Sequence, residues 1–283
     1  MMKTPQLGSR LLDISRPVVM GILNVTSDSF FDGGRYETET AIVARIHQIV
    51  EEGAGIIDIG AYSTRPGATD VDEREELTRL DAAVELVRKY FPEVPVSIDT
   101  FRAGVARDIN RCLGPVIVND ISGGTMDPDM FGFIAETGLP YIMMHIQGTP
   151  QTMQKNPEYR DVVEDVYHFF EKRIQVLNAV GFDNIIIDPG FGFGKNLQHN
   201  YELMNRLEVF GKLDYPLLVG ISRKSMIFRL LGTSPAEALN GTTVLNTVAL
   251  LKGASILRVH DVKEAVEAVK IVAQMGDLPF QPV

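Results

Sequence analysis

Residues 184–195 read NIIIDPGFGFGK, an apolar run set directly against a carboxylate and a glycine-rich turn. Ile185, Ile186 and Ile187 follow one another without a polar residue between them. A strand with no apolar–polar alternation is buried on both faces, the habit of parallel sheets whose crossover helices cover them. The turn that follows resembles a phosphate loop only at first sight. A P-loop needs G-x-x-x-x-G-K-[ST], so that backbone N–H groups wrap the phosphates and a hydroxyl reaches magnesium. Here Lys195 is followed by Asn196, and Gly190, Gly192 and Gly194 do not fit G-x-G-x-x-G either. What remains is a turn expected to be flexible, with Asp188 at its base and Phe191 and Phe193 on it.

Runs of the same kind recur along the chain: VVMGILNVT (18–26), IIDIGAYST (56–64), VSIDT (96–100), VIVNDIS (116–122), YIMMHIQ (141–147), LLVGISR (217–223) and ILRVHD (256–261). Amphipathic stretches separate them. TETAIVARIHQIVEEG ends on Gly53, DEREELTRLDAAVELVRKY stops before Pro92, and DVVEDVYHFFEKRIQVLNAVG ends on Gly181. Eight strands alternating with helices predict an α/β fold, a (β/α)8 TIM barrel. No linker or low-complexity tract interrupts the pattern, so residues 1–283 read as a single domain. An open doubly wound sheet is the alternative that the same pattern allows.

The chain has 283 residues, 45% hydrophobic and 23% charged, which is ordinary globular composition with enough apolar residues for a large core. A net charge of −10 speaks against nucleic acid and anionic membranes as partners. Any bound anion needs a few basic side chains to focus a local field. A lone cysteine, Cys112, precludes an internal disulfide and reads as a small helical residue. MMKTPQLGSRLLDISRP has no apolar core of a signal sequence, and a soluble, cytoplasmic protein is expected.

Barrel active sites lie where strands pass into the loops at their C-terminal ends. Every run here ends in residues able to do chemistry: Asn24; Ser63, Thr64 and Arg65; Asp99; Asn119 and Asp120; His145 and Gln147; Asp188; Ser222, Arg223 and Lys224; Arg258, His260 and Asp261. One polar strand end is ordinary turn chemistry. Eight that converge are not. Asp99, Asn119 and Asp188 from separate strands form a receptor for a flat heterocycle with N–H donors along one edge, because a carboxylate accepts paired N–H bonds and Asn both donates and accepts. Lys224 supplies a donor for a ring carbonyl or nitrogen. A paired-carboxylate hydrolase competes with this reading, but no nucleophile or metal cluster accompanies the carboxylates. Anion chemistry gathers at Arg65, Arg258 and His260, with Asn24 beside them, and the last helix begins just after His260 with free N–H groups. SRKSMIFRLLG reads as a short extra helix, in the region where barrels often bind phosphate. A bound phosphate is therefore expected near Arg258 and His260, not in the glycine turn.

ILNVTSDSFFDGG, STRPGA, SIDT, NDISGG, DPGFGFGK, ISRKS and RVHDV, in that order, resemble the dihydropteroate synthase family over nearly the whole chain. The resemblance implies a pterin-binding TIM barrel. It implies condensation of 6-hydroxymethyl-7,8-dihydropterin diphosphate with p-aminobenzoate to 7,8-dihydropteroate and diphosphate, by departure of the leaving group ahead of attack. It implies that Asp99, Asn119, Asp188 and Lys224 hold the pterin, with Met144 and Gly220 lining its pocket. Arg258 is to stack on the pterin and reach the diphosphate, which His260, following Val259, also binds. Asn24 is to ligate magnesium (Mg2+) carried with the diphosphate. Thr64, Arg65 and Pro66 belong to a second loop, and Ser222 lies by the aminobenzoate pocket. Phe193 and Lys195 lie on an opening loop, where Phe193 packs on the aminobenzoate ring. Asp99, Lys224, Arg258 and His260 are the expected catalytic groups. The resemblance further implies a sulfonamide target and a homodimer.

Two departures from the family pattern stand out. Ser27 replaces a common proline, and Ala61–Tyr62 replace glycine and glutamate. A related barrel that transfers a methyl group from methyltetrahydrofolate would share the pterin carboxylates but not ISRKS and RVHD. A catalytically dead pterin-binding barrel would not need Asn24, Lys224, Arg258 and His260.

Overall fold

The structure is a computed structural model that describes residues 3–25, 35–62, 71–153 and 157–276. All eight expected strands form: β1 (Val18–Asn24), β2 (Ile56–Gly60), β3 (Val96–Asp99), β4 (Ile117–Asp120), β5 (Tyr141–Met144), β6 (Ile185–Asp188), β7 (Leu218–Val219) and β8 (Ile256–Val259). They pair in parallel in the order β6-β5-β4-β3-β2-β1-β8-β7. The ring closes between β6 and the residues entering β7. Ile187 and Leu217 bridge in parallel, and the Ile187 N–H donates to Pro216 O at 2.9 Å. Closure rules out the open doubly wound sheet.

The helices are α1 (Arg35–Glu51), α2 (Glu73–Tyr90), α3 (Ala103–Leu113), α4 (Met130–Thr137), α5 (Val162–Ala179), α6 (Leu197–Asn205), the short extra α7 (Ser225–Leu231), α8 (Leu239–Leu251) and α9 (Val262–Met275). Their starts follow from capping chemistry. Asp72 accepts from Glu75 N–H at the head of α2, and Asp161 accepts from Val163 and Glu164 N–H at the head of α5. Asn196, the residue that breaks the P-loop pattern, caps α6 by accepting from His199 N–H at 2.8 Å.

Period-two alternation divides each strand between two layers. One layer faces the helices and includes Ile57, Ile59, Val118, Tyr141, Met143, Ile187, Val219, Leu257 and Val259. The other fills the barrel with Met20, Ile56, Ile117, Ile142, Ile186, Leu218 and Ile256, joined by Leu12 and Leu7. Leu7 belongs to a small antiparallel hairpin, Gln6–Leu7 with Arg10–Leu11, that closes the N-terminal end of the barrel. Strands of two residues carry no legible pattern, and sequence reasoning missed this hairpin.

Candidate active site

Two residues beyond the barrel-filling layer, the side chains change character. Asp58 follows Ile56, Asn119 follows Ile117, Met144 follows Ile142, Asp188 follows Ile186, Gly220 follows Leu218 and Arg258 follows Ile256. The strand period returns each of them to the barrel interior, one storey nearer the C-terminal mouth. Asp99 is paired in register with Asn119 and joins the same ring.

At its centre Arg258 donates Nε–H to Asp58 at 2.6 Å and Nη2–H to Asp99 at 2.7 Å. Asp58 also accepts from Asn119 Nδ2 at 3.2 and 3.3 Å. An ionised carboxylate only accepts, so Asp58 turns the Asn119 amide group toward itself and leaves Oδ1 for a ligand. Asp58 is fully buried and was not among the expected site residues. The available signal was a carboxylate inside the apolar run IIDIG, where a charge must find partners. Burial drives the Asp99 carboxyl up to about 7, with Arg258 opposing. Burial pulls against the Arg258 guanidinium too, but Asp58 and Asp99 outweigh it and hold its pKa above the usual value.

Asp188 accepts the Gly190 N–H at 2.8 Å, and burial raises its pKa while Lys224 opposes. Lys224 is brought down to about 8 by burial, with Asp188 opposing. Its Nζ donates to Phe191 O at 2.5 Å and lies 4.6 Å from the centre of the Phe193 ring. Phe193 and Phe101 pack on an apolar cluster of Ile121, Met144, Ile146 and Met153. At Gly220 a Cβ would sit 3.7 Å from Arg258 Cβ, ordinary contact, so this position lies directly against the arginine.

The glycine turn and Lys195 need a correction. The turn is fastened rather than loose. Lys195 is only 3% exposed, and its Nζ bonds Gly190 O at 2.9 Å, Phe193 O at 3.1 Å and His145 Nδ1 at 2.9 Å. Gly192 N–H donates to Asn200 Oδ1, and Tyr159 OH donates to Gly194 O. Gly190 has φ +71°, and a Cβ there would lie 1.9 Å from His145 O. The glycines let backbone pack on backbone beneath the aromatic rings.

Ser222 Oγ accepts the His260 main-chain N–H at 3.2 Å and lies 3.1 Å from its Nδ1. The Ser222 hydroxyl has a proton to give to an unprotonated Nδ1 and a second lone pair to accept from Nδ1–H. Burial, then Arg258, lowers the His260 pKa to about 4. His260 was expected as a basic group; here it offers a neutral donor at pH 7. Asp261 engages Arg223 through both carboxylate oxygens, at 2.8 and 2.9 Å, and makes no side-chain cap on α9. Val259 lies in the layer facing the helices, so only its main chain is at the site end of β8. Asn24 ends β1; a Cβ on Gly60 would be 3.4 Å from Asn24 Oδ1 and 3.8 Å from Asp99 Oδ2. Thr64, Arg65, Pro66 and Ser27 lie outside the described residues. Ala61 is buried in the core. The Tyr62 ring meets Phe101 edge-on at 5.4 Å, and its OH accepts from Gln151 Nε2 at 3.1 Å. Among the described residues no group of His, Cys, Asp and Glu is arranged to hold a metal.

The family profile of pterin binding enzymes matches residues 20–260. The chain is 47% identical over 263 residues to the dihydropteroate synthase of Escherichia coli strain K12, covering 92% of each chain. The chain belongs to the dihydropteroate synthase family of pterin-binding enzymes. The Yersinia pestis dihydropteroate synthase in a sulfonamide drug complex superposes with a TM-score of 0.89 at 42% identity, covering 97% of this chain and all of that one. The Xanthomonas albilineans dihydropteroate synthase with 4-aminobenzoic acid superposes with a TM-score of 0.87 at 38% identity, covering 98% and 100%. The cup of Asp99, Asn119, Asp188, Lys224 and Arg258 is thus found in a barrel whose solved relatives are dihydropteroate synthases.

Proposed function

We infer that the chain condenses 6-hydroxymethyl-7,8-dihydropterin diphosphate with p-aminobenzoate, giving 7,8-dihydropteroate and diphosphate in folate synthesis. The observation that carries this reading is the ring of acceptors around one arginine. Asp99, Asp188 and Asn119 Oδ1 face donors along the pterin edge, and Lys224 gives N–H to its carbonyl or ring nitrogen. The apolar cluster under Phe193 takes the flat acceptor ring. Arg258, held here by Asp58 and Asp99, lies against the pterin and turns a donor toward the diphosphate.

The bond from the exocyclic methylene carbon to the diphosphate oxygen breaks, and its electron pair leaves with diphosphate. The electron-rich dihydropterin spreads the positive charge, which Asp99 and Asp188 stabilise from fixed positions. The aniline nitrogen forms the new C–N bond and loses a proton to solvent. The His260 ring and the uncapped start of α9 accommodate the departing anion. Asn24 Oδ1 would hold magnesium, which would supply positive charge to the diphosphate. One hard oxygen, without a cluster of protein ligands among the described residues, suits an ion that arrives on the substrate's phosphates and keeps several waters.

Thr64, Arg65, Pro66 and Ser222 complete the acceptor side in this reading, and sulfonamides compete there. The enzyme acts in the cytoplasm as a homodimer. Exposed Leu230, Leu231, Val244, Ile271 and Met275 on α7, α8 and α9 support a self-association face. Among the described residues no helix is long and apolar enough to cross a membrane.

Diphosphate release from the pterin diphosphate, measured with and without p-aminobenzoate, tests the reaction. Acceptor-dependent release with equimolar dihydropteroate is expected. No release with tight pterin binding would mark a binding protein, and methyl transfer from methyltetrahydrofolate instead would overturn the reading.

A further inference from the structure

Lys195 is a buried cation that the diphosphate and pterin assignments do not use. Lys195 ends the motif DPGFGFGK, yet it touches neither Asp188 nor any open surface. An ammonium has three N–H donors. Those of Lys195 are all taken, by Gly190 O, Phe193 O and His145 Nδ1. The contact with His145 needs an unprotonated Nδ1, and burial followed by Lys195 itself pushes the His145 pKa well down. Lys224 binds the intervening carbonyl, Phe191 O. Three carbonyls of one turn therefore point inward onto two ammonium groups, while the Phe193 ring is delivered over Lys224 on the ligand side.

We propose that Lys195 is a positioning residue for the acceptor site, which fixes the backbone of the glycine turn so that Phe193 lies over Lys224 and the apolar cluster. The inference rests on the reading that Phe193 packs on the aminobenzoate ring. Its basis is the direct bond from Lys195 to the carbonyl of Phe193 itself, together with the bond to Gly190 at the start of the turn. Removing the ammonium takes the Lys195 bond from Phe193 O and His145 Nδ1 and leaves Gly190 O with only the Phe193 N–H, in a turn whose three glycines are left-handed. Asp188, Lys224, His145 and His199 are the titratable groups facing it. Burial lowers its own pKa to about 7, with Asp188 opposing, so the three-donor ammonium is present below that value and is lost as pH rises through it.

The test is a double-mutant cycle in the full-length enzyme with Lys195→Met and Phe193→Ala. Lys195→Met is expected to raise the KM for p-aminobenzoate at least tenfold, with pterin diphosphate affinity within twofold of wild type. The double variant is expected to match Phe193→Ala alone, because a residue acting through Phe193 has nothing to add once the ring is gone. An acceptor KM within twofold of wild type for Lys195→Met overturns the proposal, and so does a defect additive with Phe193→Ala. If Phe193→Ala leaves the acceptor KM unchanged, the acceptor reading of this face fails and the inference falls with it. Should Lys195→Met fail to fold, Lys195→Gln, which keeps two N–H donors, takes its place in the cycle under the same criteria.

Discussion

Asp58 shows what a single, fully buried side chain does by holding its neighbours. It holds Arg258 through Nε and sets the orientation of Asn119, so it touches two of the groups to which the pterin site is assigned in our proposal. Asp58→Asn keeps the shape but removes the charge that balances Arg258. Its carboxamide can present N–H to Asn119 and let that amide turn over. Pterin diphosphate affinity is expected to fall by ~1–3 kcal/mol, as for buried polar groups left mispaired. Calorimetry on a variant with the wild-type circular dichroism spectrum measures it, and unchanged affinity would remove Asp58 from the site. The titration of Asp99 near 7 and of Lys224 near 8 sets the pH response. As pH falls through the raised Asp99 value, the carboxylate takes up a proton and stops accepting paired N–H bonds. As pH rises through the lowered Lys224 value, the ammonium is lost. The kcat/KM for pterin diphosphate should therefore be bell-shaped, with limbs near these values, since it reports the free enzyme. Lys224→Arg should keep the acid limb and erase the alkaline one; a flat wild-type profile from pH 6 to pH 9 contradicts the assignment.

At the scale of elements, the eight strands were legible because β-branched runs without alternation leave no other comfortable place for themselves than a two-sided interior. Their polar ends were legible for the same reason, since a carboxylate at the end of such a run must meet either water or a ligand. Asp58 was hidden inside IIDIG, where the rule about strand ends does not look. Val259 offers the site only its main chain, because the period of two that brings Arg258 inward sends its neighbour's side chain toward the helices. Lys195 was placed on a loose loop because composition does not show that a lysine after three glycines folds back onto their carbonyls. That turn predicts its own sensitivity. Gly190→Ala would drive a Cβ onto His145 O at a backbone φ of +71°, so the turn or strand β5 must shift. A loss of stability of ~1–3 kcal/mol is expected from the strain alone, together with a raised acceptor KM. Urea unfolding and steady-state kinetics on the same preparation read both, and a variant as stable as wild type would show that the turn adapts freely.

The whole molecule separates stability from chemistry along the barrel axis. Below, Ile186 and six neighbours from other strands fill the interior and the N-terminal hairpin closes it. Above, Asp188 and its partners face the mouth in the same pleat. One strand thus carries both tasks two residues apart, and a pair of truncations on β6 should divide them. Ile186→Ala removes a fully buried side chain from a packed layer and should cost ~2–5 kcal/mol, since the surrounding strands cannot collapse into the space. Its pterin affinity should stay close to wild type, because the acceptors above remain fastened to Arg258, Asn119 and the glycine turn. Asp188→Ala removes a carboxylate whose burial already opposes its charge. Against that relief stand the lost Gly190 bond and the counter-charge taken from Lys224 and Lys195, so this variant also loses stability and urea unfolding alone does not tell it from Ile186→Ala. Pterin diphosphate binding should nonetheless weaken by ~1–3 kcal/mol or more, as the ligand's N–H groups lose their acceptor in a buried site. Chemical denaturation and calorimetry on the two variants make the comparison. If Ile186→Ala loses pterin affinity as severely as Asp188→Ala at a temperature where both are folded, the two storeys are coupled and the division of labour along the barrel does not hold.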